Sequence, residues 1–139
     1  MPCYNSAQFI DEAVFSVVNQ SYQDWELLIC DDESTDGSKQ IAEDWVKKDP
    51  RIKVLQNRFE KGAPGARNTC LYAAQGRYIA FLDSDDRWYP RKLEKQIGHM
   101  IKTGSVFCVT YYDLMDESGV HCHSVKTANN ITLHHMMYS

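Results

Sequence analysis

Asp83, Asp85 and Asp86 crowd three carboxylates into four residues at the end of an apolar run, Tyr78-Ile-Ala-Phe-Leu82. Side chains alternate along an extended backbone, so Asp83 and Asp85 leave it on one side and offer hard oxygen ligands to a common point. Like charges this close repel unless a cation or a donor-rich ligand sits among them. Paired carboxylates suit Mg²⁺ or Mn²⁺ carrying a phosphate. An isolated Asp-x-Asp is more often a solvated turn or the cap of the next helix, here one opening at Pro90. A second acidic strand end shifts the balance: Trp25-Glu-Leu-Leu-Ile-Cys30 also stops in carboxylates, Asp31 and Asp32.

The elements that must position these acids alternate in type. Pro2-Cys-Tyr-Asn5 reads as the loop leaving a strand that is itself almost missing. Residues 7–19 carry Phe9, Ile10, Ala13, Val14, Val17 and Val18 at helical spacing behind a Ser6 cap. The strand from Trp25 to Cys30 is followed by a tight polar loop to Gly37 and a helix from Ser38 to Lys48, ended by Pro50. A strand from Ile52 to Gln56 leads into a flexible loop to Gly65, then a helix from Ala66 to Ala74 with Arg67 and Asn68 in its first turn. Tyr78 to Leu82 reads as a buried strand. A helix from Arg91 to Lys102, a strand from Ser105 to Tyr112, a turn at 116–119, an edge strand from Val120 to Val125 and a short helix from Leu133 to Tyr138 complete the expectation.

Strands alternating with helices imply right-handed crossovers and a mainly parallel sheet with helices on both faces, an α/β fold. The carboxyl ends of such strands share one edge, where ligands bind. Tyr4, Asn5, Asp32 and the cluster from Asp83 to Asp86 then stand on one rim. An aromatic ring, a lone acid and a metal-type cluster together make a site for a nucleotide diphosphate and a divalent cation.

The 139 residues suffice for one domain with a core, and the range 1–139 is read as a single domain. A net charge of −4 with no basic block argues against a nucleic-acid partner. Five widely spaced cysteines, mostly in apolar runs, read as buried hydrophobes of a reducing compartment. No apolar run reaches membrane-spanning length and no secretory leader is visible, so a cytoplasmic location is expected. His121, Cys122, His123, His134 and His135 alternate or diverge in direction, which disfavours zinc. Trp25, Trp45, Tyr111 and Tyr112 read as core residues, and Trp88 either lines the ligand pocket or packs beneath it.

Four motifs in order, Pro2-x-Tyr4-Asn5, Asp31-Asp32-x-Ser34-Thr35-Asp36-Gly37, Gly65-Ala-Arg67-Asn68 and Phe81-Leu-Asp83-Ser84-Asp85-Asp86, resemble family 2 glycosyltransferases of the GT-A fold. The resemblance implies a Rossmann-like three-layer sandwich, the nucleotide-sugar-binding half of such an enzyme, truncated at both ends. It implies that Pro2, Tyr4, Asn5, Asp32, Arg67, Asp83 and Ser84 bind the nucleotide sugar. Within that set Tyr4 stacks on the base, Asp32 accepts from its imide nitrogen and Arg67 helps neutralise the leaving diphosphate. Asp85, with Asp83, would hold Mn²⁺ or Mg²⁺. The implied reaction is inverting transfer from a nucleotide-diphospho-sugar, UDP-sugar favoured, to a glycan or glycolipid acceptor in cell-envelope glycan synthesis, by a protein peripheral to the inner face of the membrane. The general base belongs to the second half of such enzymes, beyond Ser139.

Three positions depart from the family pattern: Glu33 and Cys70 stand where glycine is usual, and the opening strand is reduced to two residues. Two other function classes are open. A sugar-1-phosphate nucleotidyltransferase would need a basic glycine-rich loop after the first strand, which Pro2 to Ser6 lacks. A nucleotide-binding module without turnover of its own remains the alternative.

Overall fold

The computed structural model describes residues 1–116 and 120–126, so positions 117–119 of the turn predicted at 116–119 and the helix at 133–138 lie outside the described residues. The chain divides into two compact units, Met1–Lys95 and Gln96–Ser139. The first holds a parallel sheet in the order β1 (Pro2–Cys3), β2 (Leu27–Asp31), β3 (Ile52–Gln56). Between the strands run α1 (Ile10–Val18) and α2 (Ser38–Lys48), and α3 (Ala63–Ala73) follows β3.

All five residues of β2 are buried, as expected for a central parallel strand covered on both faces. Alternation explains how. Leu27 and Ile29 enter a cluster with Ile10, Ala13, Val14 and Val17 of α1 and Ala42 of α2. Leu28 and Cys30 face the other way, where the Cys70 thiol of α3 donates to the Leu28 carbonyl at 3.4 Å. Cys70 therefore fits at this helix–sheet contact although glycine was expected. Burial, with the neighbouring Cys70 next in weight, pushes the Cys30 thiol up to about 11, so it behaves as a small apolar group. Cys3 is buried as well, whereas Cys70 and Cys108 are half-buried and Cys122 is exposed. Trp25, Trp45 and Trp88 are partly buried and pack against the first cluster.

Several expected boundaries move. α1 starts at Ile10, because the N–H groups of Phe9 and Ile10 donate to the Ser6 carbonyl, both at 2.9 Å, and the Ser6 side chain caps nothing. α3 starts at Ala63, earlier than expected, with Pro64 in its first turn, a place where a missing N–H costs no hydrogen bond. Arg67 thus lies in the second turn. Tyr78–Leu82 is the largest correction: it joins no ladder, and although Leu82 is buried, Ile79 and Phe81 are exposed. A strand needs a neighbour's row of N–H and C=O groups. The two-residue β1, already bonded to β2, has too short a free edge to supply one.

In the second unit β4 (Tyr112–Met115) pairs antiparallel with β5 (His121–Val125), so the returning edge strand forms. The strand expected from Ser105 begins only at Tyr112, because pairing with β5 starts at Tyr112↔Val125. Tyr111 and Tyr112 are exposed, against the expectation that they were core. The helix α4 (Lys92–Thr103) stands within two residues of its predicted bounds.

Gly65 shows how tightly α3 sits on the loop before it. A Cβ there would lie 1.9 Å from the Glu60 carbonyl oxygen, a backbone atom that cannot swing aside. Gly65→Ala should therefore lower unfolding free energy by about 2 kcal/mol, the usual scale of forced overpacking. Urea denaturation checks it; an unchanged midpoint would show that α3 and the 57–62 loop separate freely.

Candidate functional site

The parallel register sets Cys3 against Asp31, and the Asp32 N–H donates to the Cys3 carbonyl at 2.9 Å. Tyr4 and Asp32 therefore leave the sheet side by side, each one residue past a paired position. Asn5 continues the turn with φ 48°, a left-handed conformation that asparagine tolerates. Its Oδ1 accepts the Thr35 N–H at 2.8 Å and its own N–H donates to Ser34 Oγ at 3.1 Å, tying the β1 exit to the β2 exit. Pro2 lies within β1 and is buried.

Ser6 and Ser38 extend this fastening. The Ser6 N–H donates to Ser38 Oγ at 2.7 Å, and Ser6 Oγ shares a 2.7 Å hydrogen bond with Ser84 Oγ. Both partners of the second bond are buried, which makes it costly to break. It joins the segment carrying Tyr4 to the acidic cluster, bringing residues from three distant stretches to one end of the sheet. Asp36 completes the arrangement by accepting from the Ala7 N–H at 2.8 Å and from the Ser38 N–H and hydroxyl.

Asp32 is 5% exposed, and both its carboxylate oxygens already hold a donor. Oδ1 takes Asn57 Nδ2 at 2.7 Å and Oδ2 takes the Gly62 N–H at 2.6 Å. Each oxygen keeps a second acceptor direction, so Asp32 fastens the 57–62 loop and can still accept one more N–H. A small hollow beside it is lined by Asp32, Glu33, Gln56, Asn57, Phe59 and Lys61. Glu33 has φ 65°, a left-handed conformation that explains the family's usual glycine there. Its carboxylate meets Lys61 Nζ at 3.0 Å, and the same ammonium lies 5.3 Å from the centre of the Tyr4 ring.

A larger hollow, of about 320 Å³, is lined by Arg67, Phe81, Asp83 and Asp86. Arg67 reaches Asp83 Oδ1 at 2.6 Å, with both side chains partly exposed. The other N–H groups of the guanidinium fork remain suited to phosphate oxygens. Local loss of solvent and then the charges of Asp85 and Asp83 push the Asp86 carboxyl up. Among the described residues no three His, Cys, Asp or Glu side chains are gathered tightly enough to cage a metal on their own. A cation bridging a diphosphate needs only one or two carboxylates, and Asp83 with the exposed Asp85 fits that requirement.

Sequence reasoning identified the two acidic ends but missed Asn57, Lys61 and the Ser6–Ser84 tie. Asn57 directly follows β3, so the same rim rule applied to a third strand would have found it. Nothing in local sequence links Ser6 to Ser84.

Asp36 yields a pH test of the fastening. The Ser38 hydroxyl first, and the Ala7 N–H next, hold its carboxyl below the usual range. A depressed folded pKa means stability that is present above the unfolded value and lost as pH falls through the folded one. Asp36→Asn should lower the urea midpoint at pH 7, and the gap from the parent protein should close as the solution is acidified below pH 4. A pH-independent gap would assign the loss to packing instead.

The model for glycosyl transferase family 2 matches residues 1–133. The UDP-Glc:alpha-D-GlcNAc-diphosphoundecaprenol beta-1,3-glucosyltransferase WfgD of Escherichia coli is 45% identical over 120 residues, which is 86% of this chain and 47% of that protein. The chain thus spans about half the length of the curated relatives it matches. Among solved GT-A structures, S. aureus TarS 1-349 in complex with UDP-GlcNAc superposes with a TM-score of 0.68 at 33% identity, covering 75% of this chain and 30% of that one. A mannosyltransferase from Pyrobaculum calidifontis in complex with GDP-Man and Mn²⁺ gives 0.65 at 27% identity, covering 71% and 30%. With the four motifs on one α/β scaffold and the family match running over nearly its whole length, the chain belongs to glycosyl transferase family 2 and has the GT-A fold.

Proposed function

We propose that this chain is the donor-binding part of a metal-dependent, inverting glycosyltransferase that uses a UDP-sugar in cell-envelope glycan synthesis. The observation that carries this reading is the Ser6–Ser84 hydrogen bond, which holds the Tyr4–Asp32 corner and the acidic cluster as parts of one surface. The base would lie on Tyr4 with its imide N–H on Asp32, and the diphosphate would run towards Arg67 and Asp83. A Tyr ring offers an apolar face to any base, so the carboxylate carries the preference for an N–H at the base edge.

Asp83 and Asp85 would hold Mg²⁺ or Mn²⁺, which when bound supplies Lewis-acid stabilisation of the departing diphosphate. The crowding of three carboxylates within four residues supports this, since a bound cation would offset their mutual repulsion. Arg67 would release part of its grip on Asp83 and share its fork with phosphate oxygens. The names of relatives support the rest: WfgD uses UDP-Glc and a lipid-linked diphosphate acceptor, and TarS was solved with UDP-GlcNAc. An acceptor of that kind would be met at the inner face of the membrane. Among the described residues no helix is long and apolar enough to cross a membrane. We assign no acid of this chain as the base that deprotonates the acceptor hydroxyl. The single-domain reading of residues 1–139 belongs to the same proposal.

Binding, not turnover, is therefore the direct test. Calorimetric titration with UDP should show affinity raised by Mn²⁺ in the parent protein. In Asp85→Ala the Mn²⁺ enhancement should fall by about tenfold or more, the scale of losing a charged contact, with far-ultraviolet circular dichroism unchanged. Equal Mn²⁺ dependence in both proteins would remove Asp85 from the metal site, and no binding of any nucleoside diphosphate would remove the function.

A further inference from the structure

We propose that Lys61 is a specificity-determining residue that donates a hydrogen bond to a base carbonyl flanking the N–H read by Asp32. The inference rests on the nucleotide reading given above and names what recognises the base edge beyond a single acceptor.

Three observations converge on Lys61. Its backbone is pinned, because the next residue, Gly62, donates its N–H to Asp32 at 2.6 Å. Its ammonium stands beside the ring expected to carry the base, 5.3 Å from the Tyr4 centroid. It also lines the same hollow as Asp32, Glu33 and Asn57. A carboxylate acceptor flanked by an ammonium donor complements an edge that presents N–H next to C=O, as uracil does. Cytosine, with a lone pair at the ring nitrogen in place of N–H, would face the Asp32 carboxylate with no proton to give.

Glu33 gives Lys61 its poise. The pair is exposed on both sides, 58% for Lys61 and 69% for Glu33, and exposed ion pairs and cation–π contacts are each weak. Lys61 can therefore leave the Tyr4 ring as a base stacks there, while Glu33 keeps it close to the base edge. The cost of that movement is small beside a charge-assisted hydrogen bond formed in a partly enclosed site. Glu33 would otherwise turn a negative charge towards an incoming carbonyl, so the two residues act as a unit. The carboxylates of Glu33 and Asp32 also favour the charged amine and hold its pKa above the usual value, with the Glu33 hydrogen bond first among the causes.

The test uses the full chain with UDP, 2-thio-UDP and 4-thio-UDP, since sulfur is a poor acceptor and each analogue blanks one carbonyl. In the parent protein one thio analogue should bind several-fold more weakly than UDP. Lys61→Met should weaken UDP by about tenfold, the scale of one hydrogen bond to a charged group, and should abolish the difference between UDP and that analogue. Lys61→Arg should restore most of the affinity. An unchanged affinity in Lys61→Met overturns the proposal, and so does an equal loss for all three ligands, which would mark Lys61 as a long-range charge. If the parent protein binds no UDP, the nucleotide reading fails and this inference with it. UDP binding with no Lys61 effect sinks the inference alone.

Discussion

The parallel pairing that places Cys3 against Asp31 governs where the chemistry of this protein ends up. Parallel strands end at the same edge of a sheet, and side chains that follow paired positions have no choice but to neighbour one another. A slip of one residue would turn each strand's side chains to the opposite face. It would also take the Asp32 N–H off the Cys3 carbonyl. Burial enforces the register: every residue of β2 is covered, with Leu27 and Ile29 in one layer and Leu28 and Cys30 in the other. The core thus holds the site in place although it contributes no functional group to it.

Above that frame the site is held by short polar side chains. Ser6, Ser34, Ser38, Asn5 and Asp36 satisfy the backbone groups of two strand exits and a helix start. Such bonds contribute about 1 kcal/mol each, yet a buried partner left unmatched costs more than that. The consequence is a rim whose loops are irregular in backbone but defined in position. Asn5 and Glu33 both take left-handed conformations there, the kind of local strain that clusters where a surface is shaped for a ligand.

Charge is distributed unevenly over this rim. Around Asp32 the negative groups are answered by the Gly62 N–H, the Asn57 amide and Lys61. In the acidic cluster, Arg67 answers Asp83, while loss of solvent, followed by the charges of Asp85 and Asp83, raises the Asp86 carboxyl. One end of the surface thus holds its carboxylate on matched donors, and the other gathers three carboxylates within four residues. A ligand with a neutral, hydrogen-bonding head and a diphosphate that brings its own cation matches that division.

The sequence alone determined the type of most elements, the sheet's parallel character and the acidic end of β2, because hydrophobic periodicity and chain-order rules are local properties. It specified α2 and β3 to the residue and carried the four motifs that place the chain in its family. It misjudged Tyr78–Leu82, whose apolar, β-branched and aromatic composition is that of a strand, because a ladder depends on a neighbour that composition cannot supply. Only the tertiary structure decided that Ser6 would meet Ser84 and that Lys61 would stand between Glu33 and Tyr4. It also decided that Asp32 would spend both its oxygens on the loop beyond β3. Those contacts join stretches far apart in the chain, and their geometry exists only after the sheet has brought the strand ends to one edge.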